Sequence, residues 1–274
     1  MAAINTNTNA LYAQDALKTN ARAQATAMQQ LSTGSRINSA KDDAAGLAIG
    51  MSMTSQIRGL NQGARNVNDA VNLLQTADGA MVETQNMIQR MRELAVQSAN
   101  ATYSGNQRGY LQNEFSSLAL EVDRVAANSK WNDTSLLSSS VSYAFQAGNG
   151  ANQTITVTIG AMAGSALGLG VGGSTMTIST AAGSQLAIGL LDIALESVNS
   201  QRATIGGTVN QLTYSADNMT NIASNLMASR STIMDTDYAT ASSQLSRTQI
   251  IQQAATAMLA QANQQPQSVL TLLK

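Results

Sequence analysis

Met53, Leu60, Val67, Leu74, Met81, Ile88 and Ala95 stand at strict seven-residue intervals, and Leu191, Val198, Ile205, Leu212, Met219, Leu226 and Ile233 repeat that interval far downstream. No other feature restricts the fold so much. Seven residues fall just short of two helical turns, so the stripe stays on one face only if helices wind around each other left-handedly. In the first half of the upstream series, Ile57, Ala64 and Val71 supply the alternate seam position. Each series corresponds to roughly 60 Å of helix. Two seams of equal length, separated by a return segment, are expected to pack antiparallel.

Between them, Leu111, Phe115, Leu118, Val122 and Val125 mark a third helix face, and "NATYSGNQRGY", with Gly105 and Gly109, is the turn that folds it back. The middle of the chain therefore reads as a rod-like, three-helix antiparallel bundle over 49–234. One proline, Pro266, leaves such helices unbroken. Residues 148–173 then carry eight of the 20 glycines and no charge. Around them three short segments alternate with period two: Val141, Tyr143, Phe145; Ile155, Val157, Ile159; and Met176, Ile178. These predict a small β-hairpin element at about 138–182 in a mainly α protein.

The rest of the composition mostly excludes. Histidine and cysteine are absent, which removes zinc-thiolate sites, disulfides and imidazole-dependent catalysis. The net charge is -1 with no Lys/Arg cluster, so no nucleic-acid footprint is legible. No stretch approaches the roughly 18 apolar residues of a membrane span, and "MAAINTNTNALYAQ" lacks the pattern of a cleaved secretory signal. No cofactor, no metal and no membrane insertion are expected.

Residues 4–33 and 240–273 are rich in Ala, Gln, Asn and Thr, with apolar residues at helical spacing. In the tail, Ile251, Ala255, Met258, Ala262, Val269 and Leu272 fall on one face, which Gln265 and Pro266 interrupt. An isolated helix of this kind is marginal in water. Both arms are expected to be frayed alone and to order on meeting other copies.

"LSTGSRINSAKDDAAGLAIG", residues 31–50, offers glycines and an acidic pair that resemble a ligand loop. No strand precedes Gly34, however, and Lys41 lies seven residues on, so phosphate-loop spacing fails. Asp42 and Asp43, being adjacent, do not face the same way on a helix. The expected role is a joint: Gly34 stops the first helix, and Ser39 caps the next with Asp42 at its third position.

"LSTGSRINSAKDDAAGLAIG", "QRMRELAVQSAN", the "INTN" start and "DTDYATASSQLSRTQIIQQAATAMLAQANQQPQSVLTLLK" together resemble bacterial flagellin, over residues 1 to about 130 and about 185 to 274. Met91 stands where Val is common in that family. The resemblance implies an inner coiled-coil domain made of paired arms 1–35 and 235–274, a connecting spoke at 36–48, and the rod as the next layer outward. It implies a filament subunit for swimming motility, exported unfolded through the flagellar type III channel into the extracellular flagellum. The implied partners are further copies of the chain, an export chaperone on the C-terminal arm, and hook-associated and cap proteins. Ile4, Leu11, Leu17, Met28, Leu31, Ile251, Met258, Val269 and Leu272 are the candidate assembly residues. The match of "QRMRELAV" further implies recognition by host Toll-like receptor 5 through Gln89, Arg90, Leu94 and, on the next helix, Glu114.

The nearest alternative is a hook–filament junction protein, which shares the arm-and-rod plan. An enzyme would need a convergent polar site, and none is legible. A membrane-active helical toxin would need basic, aromatic faces, whereas these arms are rich in Ala and Gln.

Overall fold

The computed structural model describes residues 6–170 and 176–272, the side chains of 265–272 excepted. Five helices carry the fold: α1 Thr8–Thr33, α2 Ala44–Ala99, α3 Gly105–Asn128, α4 Ala181–Met234 and α5 Tyr238–Leu272. Among the described residues four short strands lie between α3 and α4: β1 Lys130–Trp131, β2 Thr134–Ser135, β3 Val141–Gln146 and β4 Thr154–Ile159. The chain divides into two compact units, Arg58–Ala223 and a second formed by Met1–Ile57 with Ser224–Lys274.

In the first unit, the heptad positions Leu60, Val67, Leu74, Met81, Ile88 and Ala95 of α2 are buried, as are Leu191, Val198, Ile205, Leu212 and Met219 of α4. Each fully buried Leu or Ile contributes about 1.5–3 kcal/mol relative to exposure. The helices are antiparallel: Asp78 of α2 pairs with Arg202 of α4 at 2.8 Å, and Arg92 with Asp192 at 2.6 Å. The alternate seam position departs from expectation. Val71 is only half-buried, and beyond Val67 the seam continues through Ala70, Ala77, Thr84, Met91 and Ser98, each three residues after a heptad residue. Apart from Met91, small and hydroxyl side chains fill this line, which is why a pattern of large apolar residues does not reveal it.

Helix α3 starts at a capping box, in which Ser104 Oγ accepts from the Gln107 backbone N–H and Gln107 accepts from that of Ser104. This satisfies two orphan N–H groups reciprocally. Its buried face is Phe115, Ala119, Val122 and Ala126, while Leu111 and Leu118 at the margin are half-buried. A tight hairpin, β1–β2, follows α3 and was not expected. Asn132 and Asp133 turn it with φ of 47° and 61°, the paired positive values that two-residue hairpins require.

β3 and β4 form the expected hairpin, pairing Val141 with Ile159, Tyr143 with Val157 and Phe145 with Ile155. Tyr143 and Phe145 stack with ring centroids 6.2 Å apart. Gln201 of α4 brackets the end of β4, donating to the Thr158 carbonyl at 2.9 Å and accepting from the Gly160 N–H at 3.2 Å.

The third expected strand, at Met176 and Ile178, does not form. The buried Ile178 donates its N–H to Gln112 Oε1 at 2.6 Å, and its carbonyl accepts from the hydroxyls of Ser98 and Ser184. Side chains of three helices thus take both backbone groups that a strand partner would use. A second correction concerns apolarity: an 18-residue window of α4 has a mean hydropathy of 1.3, so this helix is long and apolar enough, by composition, for a membrane span.

In the second unit, α1 packs along α5, and the N-terminal end of α2 lies beside the C-terminal end of α4. Leu226 and Ile233, the last residues of the downstream seam, are half-buried here. Both arms are helical in the single chain and each supplies the other's partner, which departs from the expectation that they order only with further copies.

Candidate assembly and recognition surfaces

The arms pair through an unusual seam. On α1 the inward residues are Ala10, Ala13, Leu17, Asn20, Gln24, Ala27 and Leu31, and on α5 they are Ala241, Leu245, Thr248, Gln252, Ala255, Leu259 and Ala262. Both series alternate three- and four-residue steps, the spacing of a coiled-coil seam. Most members are small or polar. Asn20, only 7% exposed, donates to the Thr248 carbonyl at 2.7 Å and to Gln252 Oε1 at 3.1 Å. Asn7 caps α1 by accepting from the Ala10 N–H and donates to the Ala262 carbonyl at 2.7 Å.

Apart from Leu17, Leu31, Leu245 and Leu259 the seam holds small and polar residues, and the other described large apolar side chains point away from it. Leu11, Tyr12 and Met28 of α1 are exposed, as are Ile250, Ile251 and Met258 of α5. The last three fall within an arc of about 100° on their helix, with Ile251 and Met258, seven residues apart, nearly in line. Of the expected assembly residues, Leu11, Met28, Ile251 and Met258 therefore stand open, and Leu17 and Leu31 are half-buried in the seam. Ile4 and the side chains of Val269 and Leu272 lie outside the described residues. Tyr12 and Ile250 belong with the open set but were not singled out in the sequence, although each adjoins a residue that was. Ile250, Ile251 and Met258 thus leave an exposed apolar face on α5.

The joint between arms and bundle helices is built by pairing two connectors. Gly34 ends α1 in the left-handed region at φ 70°, its N–H donating to the Gln30 carbonyl at 2.9 Å. Ser35 then bridges Asp235: the Arg36 N–H donates to the Met234 carbonyl at 2.7 Å, and the Thr236 N–H to the Gly34 carbonyl at 2.9 Å. The Arg36 guanidinium donates to the Ile233 carbonyl at 2.6 Å, satisfying an end of α4.

The expected cap is corrected by one turn of chain. Helix α2 begins at Ala44, and Asp43 Oδ1 accepts from the Gly46 N–H at 2.8 Å as its cap. Gly46 suits the position, because a Cβ there would collide with the Asp43 carboxylate. Asp42 folds back instead, accepting from the N–H groups of Asn38 and Ser39 and from Ser39 Oγ at 2.9 Å. The Ser39 hydroxyl, together with those backbone donors, holds the Asp42 carboxyl below the ordinary carboxylate range. Asp237 caps α5 in the same way, accepting from Thr240 Oγ1 at 2.8 Å and the Ala239 N–H at 2.9 Å, and is likewise lowered. The two aspartates that looked like a ligand pair thus serve separate structural tasks. Among the described residues, no group of three or more His, Cys, Asp or Glu side chains could hold a metal ion.

The second surface lies on α2 and α3. Arg90 Nε and Nη2 donate to Glu114 Oε1 at 3.0 and 2.8 Å, while Nη1 donates to Glu93 Oε2 at 2.9 Å. Hydrogen bonds to Glu93 and then Glu114 raise the guanidinium pKa further. Gln89 is exposed beside them, whereas Leu94 is 1% exposed and belongs to the core. The structure therefore brings Gln89, Arg90 and Glu114 to one solvent face and places Leu94 beneath it. Glu93 joins the face, and the neighbouring open groove is lined by Gln89, Arg92, Glu93, Val96 and Gln97. Exposed ion pairs of this kind add little to stability.

Comparison with known proteins gives a consistent answer at several levels. Residues 4–142 match the bacterial flagellin N-terminal helical region, and residues 188–273 match the bacterial flagellin C-terminal helical region. The chain is 39% identical to Flagellin FlaB1 of Treponema pallidum (strain Nichols) and 40% identical to a flagellin of Halalkalibacterium halodurans, with 99% of each chain covered in both cases. Among solved structures, a protein described as flagellar hook-associated, from Vibrio parahaemolyticus, is similar with a TM-score of 0.57 over 70% of this chain and 99% of that one. At 12% identity this last likeness concerns the fold alone.

Proposed function

The chain belongs to the bacterial flagellin family, and from that premise we propose that it self-assembles through its paired terminal arms into the flagellar filament that drives swimming. The observation that carries the role of the arms is their open apolar face, with Ile250 66% and Met258 67% exposed on α5. In a polymer the arms 1–35 and 235–274 form the innermost layer, the connectors 36–48 link them outward, and residues 49–234 form the surrounding layer. Gly34 and the Ser39–Asp42 turn act as the hinge.

As a family member the protein is a structural subunit and not an enzyme. We assign it to the extracellular filament, reached by unfolded export through the flagellar type III channel. Residues 235–274 are the segment that an export chaperone covers beforehand, and their Ala/Gln-rich helix with exposed Ile and Met suits that role. Hook-associated and cap proteins meet the two ends of the filament. The fold alone would also suit a hook–filament junction protein; identity to flagellins over nearly the full chain supports the filament subunit.

The test is electron microscopy of concentrated protein. Full-length chain is expected to form long pelletable filaments, while a variant lacking 1–35 and 240–274 stays unassembled. Identical filaments from the truncated variant would refute the role of the arms.

The exposed Gln89–Arg90–Glu114 face supports recognition of the unassembled protein by Toll-like receptor 5, with Leu94 supporting the helix from below. In a receptor reporter assay, Arg90→Ala is expected to lose most of the signal at unchanged helicity. An equal signal from both proteins, or none from the parent, would remove this assignment.

A further inference from the structure

The seam between α1 and α5 poses a register problem. Ala10, Ala13 and Ala27 on one helix meet Ala241, Ala255 and Ala262 on the other, all inward-facing. Leu17, Leu31, Leu245 and Leu259 face inward as well, and sliding one arm by seven residues, a shift of about 10 Å, changes which small and large side chains stand opposite each other. The alanine pairs alone do not separate the observed pairing from its neighbours. A polar contact adds to the choice.

Asn20 has the required properties. It sits mid-seam at 7% exposure, and its amide donates to the Thr248 carbonyl at 2.7 Å and to Gln252 Oε1 at 3.1 Å. In a register shifted one heptad either way, Leu245 or Leu259 takes the place of Gln252 opposite Asn20. The amide would keep a main-chain carbonyl, which every register offers, but would lose Gln252 to a leucine, and a buried amide short of a partner is costly. A lone polar residue at a coiled-coil seam is a well-attested register device. Asn7, the half-buried N-cap of α1, donates to the Ala262 carbonyl at 2.7 Å and marks the far end of the observed pairing.

We propose that Asn20 is the positioning residue that sets the register of the arm pairing by reading the side chain of Gln252, and so fixes the offset between the exposed apolar residues of α1 and those of α5 that neighbouring subunits meet. This rests on the reading of the arms as assembly elements. Without Asn20 the arms remain helical but sample slipped pairings, and Leu11 and Met28 of α1 no longer keep one offset from Ile250 and Met258 of α5.

The absence of cysteine from the chain makes the test clean. Ala13→Cys with Ala255→Cys reports the observed register, because these positions lie midway between the Asn7–Ala262 and Asn20–Thr248 contacts. Ala13→Cys with Ala262→Cys, and Leu17→Cys with Leu245→Cys, report the two slipped registers. Each pair is placed in the full chain carrying Asn20, Asn20→Leu or Asn20→Ala, and treated with a short bis-maleimide. Intramolecular cross-linking is read on denaturing gels, in filaments and in unassembled protein.

With Asn20, the first pair is expected to cross-link and the slipped pairs to stay at background. Both substitutions are expected to raise slipped cross-linking about tenfold, with filaments of mixed shape. Slipped pairs that stay at background in both variants overturn the proposal. Loss of all cross-linking in the variants also overturns it, since Asn20 would then hold the arms together instead of choosing their register. A parent chain that forms no filaments refutes the assembly reading, while the cross-links still report the register.

Discussion

Gly34 shows how much one residue can carry at the joint. Its φ of 70° is strained for any side chain, and a Cβ would stand 3.0 Å from the Tyr238 hydroxyl. Gly34→Ala is expected to destabilise the arm unit by roughly 1–2 kcal/mol and to lower filament yield, whereas Gly34→Asn is expected to cost less because Asn tolerates the left-handed region. Urea melts followed by circular dichroism check the difference. Asp42 and Asp237 make the same joint sensitive to acid. Hydrogen bonds lower both carboxyls below their ordinary value of 3.8, so the folded chain binds protons less readily than the unfolded one. Their stabilisation is present above about pH 3.8 and is lost as the pH falls through the lower folded values. Amide exchange at the start of α5 is expected to accelerate over that window, and Asp237→Ser, which keeps a capping oxygen but cannot titrate there, should flatten the response. The sequence pointed to this joint but misassigned its cap, because Ser39, Asp42 and Asp43 are all competent caps within five positions. Only backbone geometry shows that Asp43 takes the helix.

At the scale of elements, legibility followed side-chain size. The heptads of α2 and α4 could be read because Leu, Ile, Val and Met occupy them, and those residues from Leu60 to Ala95 and Leu191 to Met219 are buried. The companion line through Ala70, Ala77, Thr84 and Ser98 could not, because small side chains carry no hydropathy signal. The arms reverse the usual logic altogether. Their seam is mostly Ala, Asn, Gln and Thr with four leucines, Leu17, Leu31, Leu245 and Leu259, while Leu11, Met28, Ile250, Ile251 and Met258 face outward, so the stripe through Ile251 and Met258 is left uncovered by the pair. The β1–β2 hairpin left a trace in Asn132-Asp133, a weaker form of the Asn-Gly or Asp-Gly signal. Replacing Asp133 with Gly should be accommodated at its φ of 61° and hold or modestly raise stability, by about 0.5 kcal/mol. A thermal melt that falls by several degrees would show that the Asp133 side chain has a task beyond the turn.

At the scale of the whole molecule, two compact units with different kinds of surface predict that stability and assembly can be altered separately. Leu74 is fully buried in the unit spanning Arg58–Ala223. Leu74→Ala is expected to cost about 2–5 kcal/mol, which for a unit of this size lowers its melting midpoint by roughly 5–15 °C. Below that midpoint the variant should still polymerise, since no arm residue has changed. Ile250→Glu combined with Met258→Glu makes the opposite case. Both side chains are exposed in the single chain, so thermal stability should shift by no more than about 0.5 kcal/mol. In a filament the same positions would bury two carboxylates without partners, and polymer yield should collapse. Melting curves and sedimentation of the two variants side by side decide the matter. If the charged variant sediments like the parent, the contacts between subunits lie elsewhere on the chain, and the open face of α5 serves some other partner.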